Sequence, residues 1–251
     1  MSDERTRRYM ETLTFEWDDI DFSATDQARK STPPPVQKPH AEDRRLVRLP
    51  PVASLAKPQL SVVDAILHRK SHRKFTDESL SLEELSLLLY CTQGMRFHNE
   101  KYSLRTVPSG GARHAFETYL YLERVTGIAP GLYRYLSIEH ALLLEREVDA
   151  DMKKDLNAAL NDMLYGAAVC FLWTAIPYRS EWRYSFAAPK LIALDAGHVC
   201  ENLYLVCEAI GCGTCAIGAY SQARMNAFLG VDGKEEFAMY MAPVGKVGKE
   251  D

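Results

Sequence analysis

The chain has 251 residues, a formal net charge of −4, and 47% apolar and 25% charged residues. These values are ordinary for a globular protein with one large or two small domains and a sizeable buried core. The small acidic excess argues against a general nucleic-acid binder, because such proteins are usually basic. The N-terminus lacks the apolar stretch of a secretory signal, and the six cysteines lie mostly in apolar segments. We therefore expect reduced thiols and a cytoplasmic protein.

The first fifty residues have the pattern of an extension, and we place a boundary between an N-terminal arm, 1–52, and a main domain, 53–251. A short charged helix is predicted over residues 3–15, and the triple proline at 33–35 favours an extended connector. The arm carries four aromatic residues that could pack on the main body or on a second subunit, unless the terminus is loosely ordered: Tyr9, Phe15, Trp17 and Phe22.

The main domain begins with two helices. Leu60, Val63, Ile66 and Leu67 recur at helical spacing after a capping serine, which predicts a helix that ends just before Arg69. The second helix is expected to start at Ser81, whose hydroxyl can cap it while a glutamate three residues later reaches back.

Strands and further helices follow without a regular alternation. Strands are predicted at 117–125, 131–137, 141–145, 167–176 and 236–243, and the first three are close enough to form a meander. Helices are predicted at 151–165, from about 190 to 211, and around 222–229. Mixed elements of this kind indicate an α+β fold rather than a doubly wound sheet. The apolar segment at 190–211 contains Asp195, His198, Glu201 and Glu208, which would be expensive in a bilayer, so we expect a buried helix and no membrane partner.

Two basic clusters carry the main functional signal. Arg69-Lys70-Ser71-His72-Arg73 combines two guanidinium forks with a hydroxyl, which suits a phosphate, although a basic helix end is more often a solvated face. Pro108-Ser109-Gly110-Gly111-Ala112-Arg113-His114 offers glycines that allow close backbone approach to a flat ligand, with a simple tight turn as the alternative. It matches neither a Rossmann fingerprint nor a P-loop. Together the clusters suggest a ligand with a phosphate and a polar ring system, such as flavin mononucleotide (FMN).

Three other patterns are weaker. Cys207, Cys212 and Cys215 have the spacing of an iron–sulfur run but no fourth cysteine follows, and no thioredoxin-like unit surrounds the last pair. Asp195 and His198 resemble half of a carboxylate–histidine metal site, but no second helix supplies the other half, so no metal is expected. The absence of a Gly-x-Ser-x-Gly elbow and of a convincing triad disfavours hydrolase chemistry.

Taken in order, four segments resemble the nitroreductase-like family of FMN-dependent oxidoreductases, and within it the SagB-type dehydrogenases. They are residues 69–75, residues 105–114, the stretch from Asp195 through Leu205, and Gly213-Thr214-Cys215-Ala216-Ile217-Gly218-Ala219-Tyr220, and the closing Pro243-Val244-Gly245-Lys246 also fits. The resemblance covers the chain from Leu55 to its end. It implies a central, mostly antiparallel sheet flanked by helices and an intertwined homodimer with FMN at the subunit interface.

The resemblance also implies roles for individual residues. Arg69, Lys70, Ser71 and Arg73 would contact the phosphate and ribityl chain, Lys246 would assist them, and Gly218 and Ala219 would line the ring near its N5 atom. The turn that the other subunit lays against the flavin would comprise Pro108, Ser109, Gly110 and Gly111, with Arg113 close by. Hydride would pass through N5 in two half-reactions, with NADH or NADPH as a possible donor.

The substrate is harder to infer. SagB-type dehydrogenases oxidise thiazoline or oxazoline rings in modified peptides, and many carry a Lys-Tyr pair before the long helix. Here Arg183 and Tyr184 stand at that place, and arginine stays protonated and cannot serve as a base. Tyr184 could act as an acid or base, or orient the substrate. The alternative is that it is simply an aromatic residue at the rim of the site. A modified-peptide dehydrogenase, an NAD(P)H-dependent reductase of small nitro or quinone-type acceptors, and a non-catalytic flavin-binding or scaffold subunit all stay open.

Overall fold

A seven-stranded antiparallel sheet forms the centre of the protein, and the computed structural model describes it within residues 11–248. The strands are β1 (Leu46–Arg48), β2 (Met95–His98), β3 (Ser103–Arg105), β4 (Phe116–Leu122), β5 (Gly131–Leu136), β6 (Ala141–Glu147), β7 (Val169–Ala175), β8 (Cys212–Thr214) and β9 (Phe237–Lys246). The helices are α1 (Val62–His68), α2 (Leu82–Gln93), α3 (Met152–Ala159), α4 (Tyr178–Tyr184), α5 (Ala188–Ala209) and α6 (Gln222–Leu229).

The main sheet has the order β1-β6-β5-β4-β7-β9-β8, and β2 with β3 forms a separate hairpin. Every paired strand of the main sheet is antiparallel to its neighbour. Both faces of the sheet are covered. Helices α2 and α5 contribute to the apolar core on one face, and α3 and α6 contribute to the core on the other. This confirms the predicted α+β class with a mostly antiparallel sheet flanked by helices.

Most predicted elements are present with small shifts at their ends. The meander of β4, β5 and β6 follows the predicted strands, and β7 is a central strand between β4 and β9. Ser61 caps α1 by accepting a hydrogen bond from the Asp64 amide. Ser81 and Glu84 form the reciprocal capping box at the start of α2 that the sequence predicts.

The prediction of one helix over 151–165 is wrong in its second half. Helix α3 ends at Ala159, because Asn161, Asp162 and Tyr165 adopt positive φ angles, which a right-handed helix cannot contain. The short strands β1 and β8, the β2–β3 hairpin and helix α4 were not predicted. The helix expected over 3–15 falls mostly on residues 1–10, outside the described part of the chain.

The described part of the N-terminal arm is joined to the main sheet. Strand β1 pairs with β6, and the carbonyl oxygens of Val36 and Lys38 accept hydrogen bonds from Arg105 and Arg134 at 2.8 and 2.7 Å. The domain boundary at residue 52 stays a prediction, but the arm contributes backbone partners to the core. Within residues 11–248, no helix is both long and apolar enough to cross a membrane.

A buried charge network lies where the arm crosses the sheet. Glu117 on β4 accepts a hydrogen bond from Arg179 at 2.5 Å and one from the Lys38 amide at 2.8 Å, and lies 3.8 Å from Arg134. Burial raises the pKa of Glu117, but Arg179, Arg105 and Arg134 outweigh it, so its pKa is lowered overall. The Lys38 ammonium continues the network by donating to Glu236 on the far side of β7.

Candidate functional site

The segment from Arg69 to Arg73 runs extended along the edge of β8. Ser71 forms a parallel bridge with Thr214, and the His72 amide donates to the Thr214 carbonyl at 2.9 Å. Alternate side chains of an extended chain point to opposite sides. The His72 ring covers Gly213, where an added Cβ would lie 2.6 Å from the ring. Arg69, Ser71 and Arg73 therefore share the outward side, and all three are exposed.

Tyr204 on α5 supports this outward set from beneath. The Arg69 guanidinium lies over the Tyr204 ring, 5.4 Å from its centre, and the Tyr204 hydroxyl is 2.9 Å from the Ser71 hydroxyl. The same hydroxyl accepts a hydrogen bond from the Ala216 amide at 2.8 Å. Arg69 is also 3.6 Å from Glu201, a contact between two exposed groups that is worth little.

The donor chemistry of this segment fits a phosphate. Arg73 is exposed, and among residues 11–248 it makes no hydrogen bond or salt bridge. Within the same residues, the Arg69 guanidinium has the Tyr204 ring beneath it and the weak contact with Glu201. Two forked guanidiniums and a hydroxyl on one side of an extended strand are suited to three phosphate oxygens. The segment can hold such a group without breaking a strong internal contact.

Four other residues were predicted to contact the phosphate or the ring of the ligand, and each has its own surroundings in the structure. Lys246 forms a salt bridge with Glu84, the carboxylate of the α2 capping box, so its charge is already balanced. Lys70 is exposed. Gly218 is exposed, with open space where a Cβ would stand, and the Ala219 carbonyl accepts a hydrogen bond from Asn161 at 2.7 Å. The roles predicted for these four residues stay predictions.

The glycine-rich turn is fastened to the first half of α5. The Ser109 hydroxyl donates to Asp195 at 2.6 Å, and the Gly110 amide donates to the other oxygen of the same carboxylate at 3.1 Å. Burial raises the pKa of Asp195, and these two hydrogen bonds act against that rise. Asp195 therefore holds the turn in place. His198 is 4.0 Å from it.

Tyr184 packs directly on the turn. Gly111 has φ +58°, and a Cβ added there would lie 2.3 Å from the Tyr184 hydroxyl. Ser185, the next residue, has φ 48° and ψ −129°, a conformation that is strained for any residue with a side chain. Ala112 and His114 also have positive φ angles. Three non-glycine residues with positive φ angles thus lie in two segments that touch each other, and backbone strain of this kind is common at functional sites.

The two arginines beside Tyr184 differ in accessibility. Arg183 is half-buried, with its guanidinium 5.3 Å from the centre of the Tyr184 ring. Arg113 is buried, donates to the carbonyls of Arg179 and Lys101 at 2.8 and 3.0 Å, and lies over the Trp182 ring. Burial and the neighbouring Arg183 lower the pKa of Arg113. Arg113 therefore braces the turn internally, and its predicted contact with a cofactor stays a prediction.

Helix α5 separates the two clusters within one chain. The turn is bound at Asp195, whereas Arg69 and Ser71 contact Tyr204, about two and a half helical turns farther along, or roughly 14 Å. Two and a half turns also place these residues on opposite sides of the helix. One ligand cannot easily reach both clusters of the same chain. Sequence reasoning missed Tyr204 as a support, although Tyr204 lies in the stretch from Asp195 through Leu205 that carries the family resemblance.

Gly111→Ala should disturb the site beyond its effect on the backbone. Alanine at a positive φ costs about 1 kcal/mol of unfolding free energy. Gly230→Ala is a matched control, because Gly230 has φ 68° and ψ 31°, close to the 58° and 23° of Gly111, but has nothing within 4 Å of its missing Cβ. Urea unfolding should show a larger loss for Gly111→Ala. Equal losses would contradict the packing of Tyr184 on this glycine.

The amino-acid sequence is similar to that of a known protein family and to those of individual proteins. Residues 66–246 match the Nitroreductase family. MJ1384 of Methanocaldococcus jannaschii, named as a nitroreductase, is 28% identical over 191 residues, 75% of this chain and 92% of that protein. The trifolitoxin-processing protein TfxF of Rhizobium leguminosarum bv. trifolii is 32% identical over 127 residues, which are 49% of this chain and 41% of TfxF.

A solved structure shares the fold over nearly the full length. The Escherichia coli microcin synthetase McbBCD complex, with truncated pro-MccB17 bound, contains a chain that superposes with a TM-score of 0.60. The match has 17% sequence identity and covers 99% of this chain and 95% of that one. The fold is therefore shared. Since the family match spans well over half of its residues, the chain belongs to the nitroreductase family of oxidoreductases.

Proposed function

We propose that the chain is an FMN-dependent oxidoreductase. The outward set of Arg69, Ser71 and Arg73 is the observation that carries the proposal, because it offers two guanidiniums and a hydroxyl to one phosphate in a member of this family. Lys70 would add positive charge to the same end of the cofactor, and Lys246, which pairs with Glu84, would lie there as well. Bound FMN would supply hydride transfer at its N5 atom.

The other end of the cofactor would meet backbone groups. Gly218 and Ala219 would line the ring, and the turn from Pro108 to Gly111 would lie against it, with Arg113 bracing the turn from behind. Donors fixed in this way stabilise negative charge that develops on a ring during reduction. Asp195 holds the turn in place before any ligand arrives, which lowers the cost of binding.

We propose further that the site is completed in a homodimer. Its support is the separation of the two clusters by α5, so that the turn of one protomer would meet the phosphate cluster of its partner. Helix α1 also exposes Val62, Val63, Ile66 and Leu67, and α5 exposes Leu194. An apolar face of this extent on two neighbouring helices is typical of a protein interface.

Two residues are candidates for work on the substrate. Tyr184 lies on the turn and can hold or move a proton at its hydroxyl, or orient the substrate. Arg183 beside it stays protonated and can attract or orient an anionic or electron-poor group, but cannot accept a proton.

The type of reaction has two candidates. The similarity to TfxF and to the McbBCD fold supports a dehydrogenase of modified peptides, the SagB type. The similarity to MJ1384 supports an NAD(P)H-dependent reductase of small acceptors, and Arg183 in place of lysine favours this second reading. Rapid anaerobic mixing with NADH or NADPH separates them, since prompt bleaching of the flavin is expected only for the reductase. If the protein binds flavin but shows no turnover with any pair of donor and acceptor, it would instead be a scaffold subunit.

The flavin itself is the first test. The purified protein should be yellow and carry close to one FMN per chain. A colourless protein that does not bind added FMN would contradict the proposed function.

Arg69→Ala should weaken FMN binding by about ten- to a hundredfold, because a charge-assisted hydrogen bond to a phosphate contributes about 1.5–3 kcal/mol. Equilibrium dialysis of the apoprotein with FMN measures this affinity. Arg224→Ala is the control, since Arg224 is an exposed arginine on α6, on the other face of the sheet. Equal affinities of the Arg69 and Arg224 variants would exclude Arg69 from the phosphate site.

A further inference from the structure

A cavity of about 370 Å³ lies on the face of the sheet opposite to helix α5, between the N-terminal arm and the end of helix α6. Its floor is formed by side chains of β4, β5 and β6, among them Tyr119, Arg134 and Arg146. The arm supplies one wall with residues between Lys38 and Arg44, and α6 supplies the other. A cavity of this size is at the lower end of the range of small-molecule sites.

A β-bulge directs two neighbouring side chains into this cavity. Two adjacent residues of β5 pair with Leu144 and Arg146 of β6, so Glu145 between them has no residue opposite to it on β5. In a regular strand, consecutive side chains point to opposite faces. The bulge interrupts this alternation, and Glu145 and Arg146 both line the cavity. Bulges that re-aim a side chain in this way are common next to functional sites.

The carboxylate that lines the cavity is already engaged. Glu145 accepts a hydrogen bond from the Arg134 Nε at 2.7 Å. The other two nitrogens of Arg134 donate to the carbonyls of Lys38 and Pro39 at 2.7 and 3.2 Å. The Lys38 ammonium is paired with Glu236 at 2.5 Å. The charges of Glu145, Arg134 and Lys38 are therefore balanced within the protein.

Two further guanidiniums at the cavity keep most of their hydrogen-bonding capacity. Within residues 11–248, the Arg146 guanidinium forms no salt bridge or hydrogen bond, and its Nε is buried without a partner. It lies over the Phe228 ring, 4.8 Å from the ring centre. Arg44 donates to the Leu144 carbonyl, and its contact with Glu145 is long, at 3.9 Å. A buried donor without a partner, beside a second guanidinium, indicates a site for an anion.

We propose that this cavity binds a small phosphate monoester, with the phosphate on Arg44 and Arg146 and the organic part against Pro39 and Ala227. Two forked guanidiniums match the charge of a phosphate dianion and the geometry of its oxygens. A carboxylate would balance only one of them. Because the arm and β6 each contribute one arginine, the bound ligand would also fasten the arm to the sheet. The inference is independent of the proposed function, since the sheet separates this cavity from the proposed flavin site.

Binding of phenyl phosphate to the purified full-length protein, saturated with FMN and measured by calorimetry, tests this inference. The wild type should bind phenyl phosphate about tenfold more tightly than benzoate, which has the same ring but a single negative charge. Arg146→Gln and Arg44→Gln should each weaken the binding of phenyl phosphate about tenfold, because each removes a charge-assisted contact. Arg96→Gln is the matched control, at an exposed arginine on β2, outside the main sheet.

Three outcomes would overturn the inference. They are no binding of phenyl phosphate to the wild type, equal binding by the wild type and Arg146→Gln, and a loss of binding in Arg69→Ala, which would place the anion at the proposed FMN phosphate site. Circular dichroism confirms that each variant is folded. A protein that holds no FMN would contradict the proposed function, while the same titration on the flavin-free protein would still report on Arg146. The two failures can therefore be told apart.

Discussion

Glu117→Gln is expected to cost about 3–5 kcal/mol of unfolding free energy, the loss typical of breaking a buried ion pair from one side. The substitution keeps the size of the side chain but removes the negative charge that faces Arg105, Arg134 and Arg179. All three guanidiniums are almost completely buried. They would be left with excess positive charge that water cannot reach, and Glu145 would balance only Arg134.

Urea unfolding at pH 7 measures this loss, with Glu147→Gln as the control. Glu147 is the last residue of β6, on the same sheet, but is exposed, so its substitution should change stability by less than about 0.5 kcal/mol. A similar small change for both variants would show that the Glu117 network contributes little to stability.

The same network predicts that the folded protein loses stability in acid. The pKa of Glu117 is lowered in the folded state, so its contribution is complete above the ordinary carboxyl pKa of 4.5 and is lost as the pH falls through its folded value. The loss of unfolding free energy caused by Glu117→Gln should therefore be largest at neutral pH. The difference between wild type and Glu117→Gln should shrink below pH 4.5.

His114→Asn should remove a large part of the acid sensitivity at higher pH. Burial, followed by Arg105 and Arg113, lowers the pKa of His114 from 6.5 to about 3. The unfolded chain takes up a proton at this histidine below pH 6.5, whereas the folded chain does not. Stability is therefore complete above pH 6.5 and falls by about 1.4 kcal/mol per pH unit below it, or about 3 kcal/mol by pH 4.5.

Asparagine suits this position, because His114 has φ 46° and asparagine tolerates positive φ better than most residues. Urea unfolding between pH 7.5 and 4.5 gives the slope of the unfolding free energy against pH. This slope should be smaller for His114→Asn than for the wild type, and the difference should correspond to the uptake of close to one proton on unfolding. His98→Asn, at an exposed histidine, should keep the wild-type slope. If the unfolding free energy depends on pH equally in the His114 variant and in the wild type, His114 is protonated in the folded state.

The parts of the fold that were predictable are those set by local chemistry. Serine caps marked the starts of α1 and α2, and alternating or continuous apolar runs marked β4 through β7. The three-residue strands β1 and β8 carry too few residues for a pattern, and their existence depends on pairing with β6 and β9. The end of α3 depends on positive φ angles that the residue types alone did not indicate.

Burial was predicted less well than element type. Tyr119, Tyr121 and Glu117 on β4 are as buried as the residues between them, because α3, α6 and the arm cover that face. In α1, by contrast, the apolar stripe that predicted the helix includes Val63, Ile66 and Leu67, which are exposed. Only the three-dimensional arrangement shows which apolar faces meet a partner within the chain.

For the candidate site, residue types were predictable but partners were not. The two basic clusters stood out in the sequence, while the carboxylates that contact Ser109 and the predicted phosphate contact Lys246 come from distant positions. Lys246 pairs with Glu84 across 162 residues, and Ser109 donates to Asp195 across 86. Nothing local to either residue indicates such a partner.

The crossing of the arm over the sheet has a consequence for how the molecule folds. Lys38 donates to Glu236 across 198 positions of sequence, and Arg134 donates to the Lys38 carbonyl across 96. Contacts between such distant segments form late and slow the folding of a domain. Until both chain ends have arrived, the central strands would hold charged groups without partners. We therefore expect slow refolding from urea, with the arm docking in a late kinetic phase.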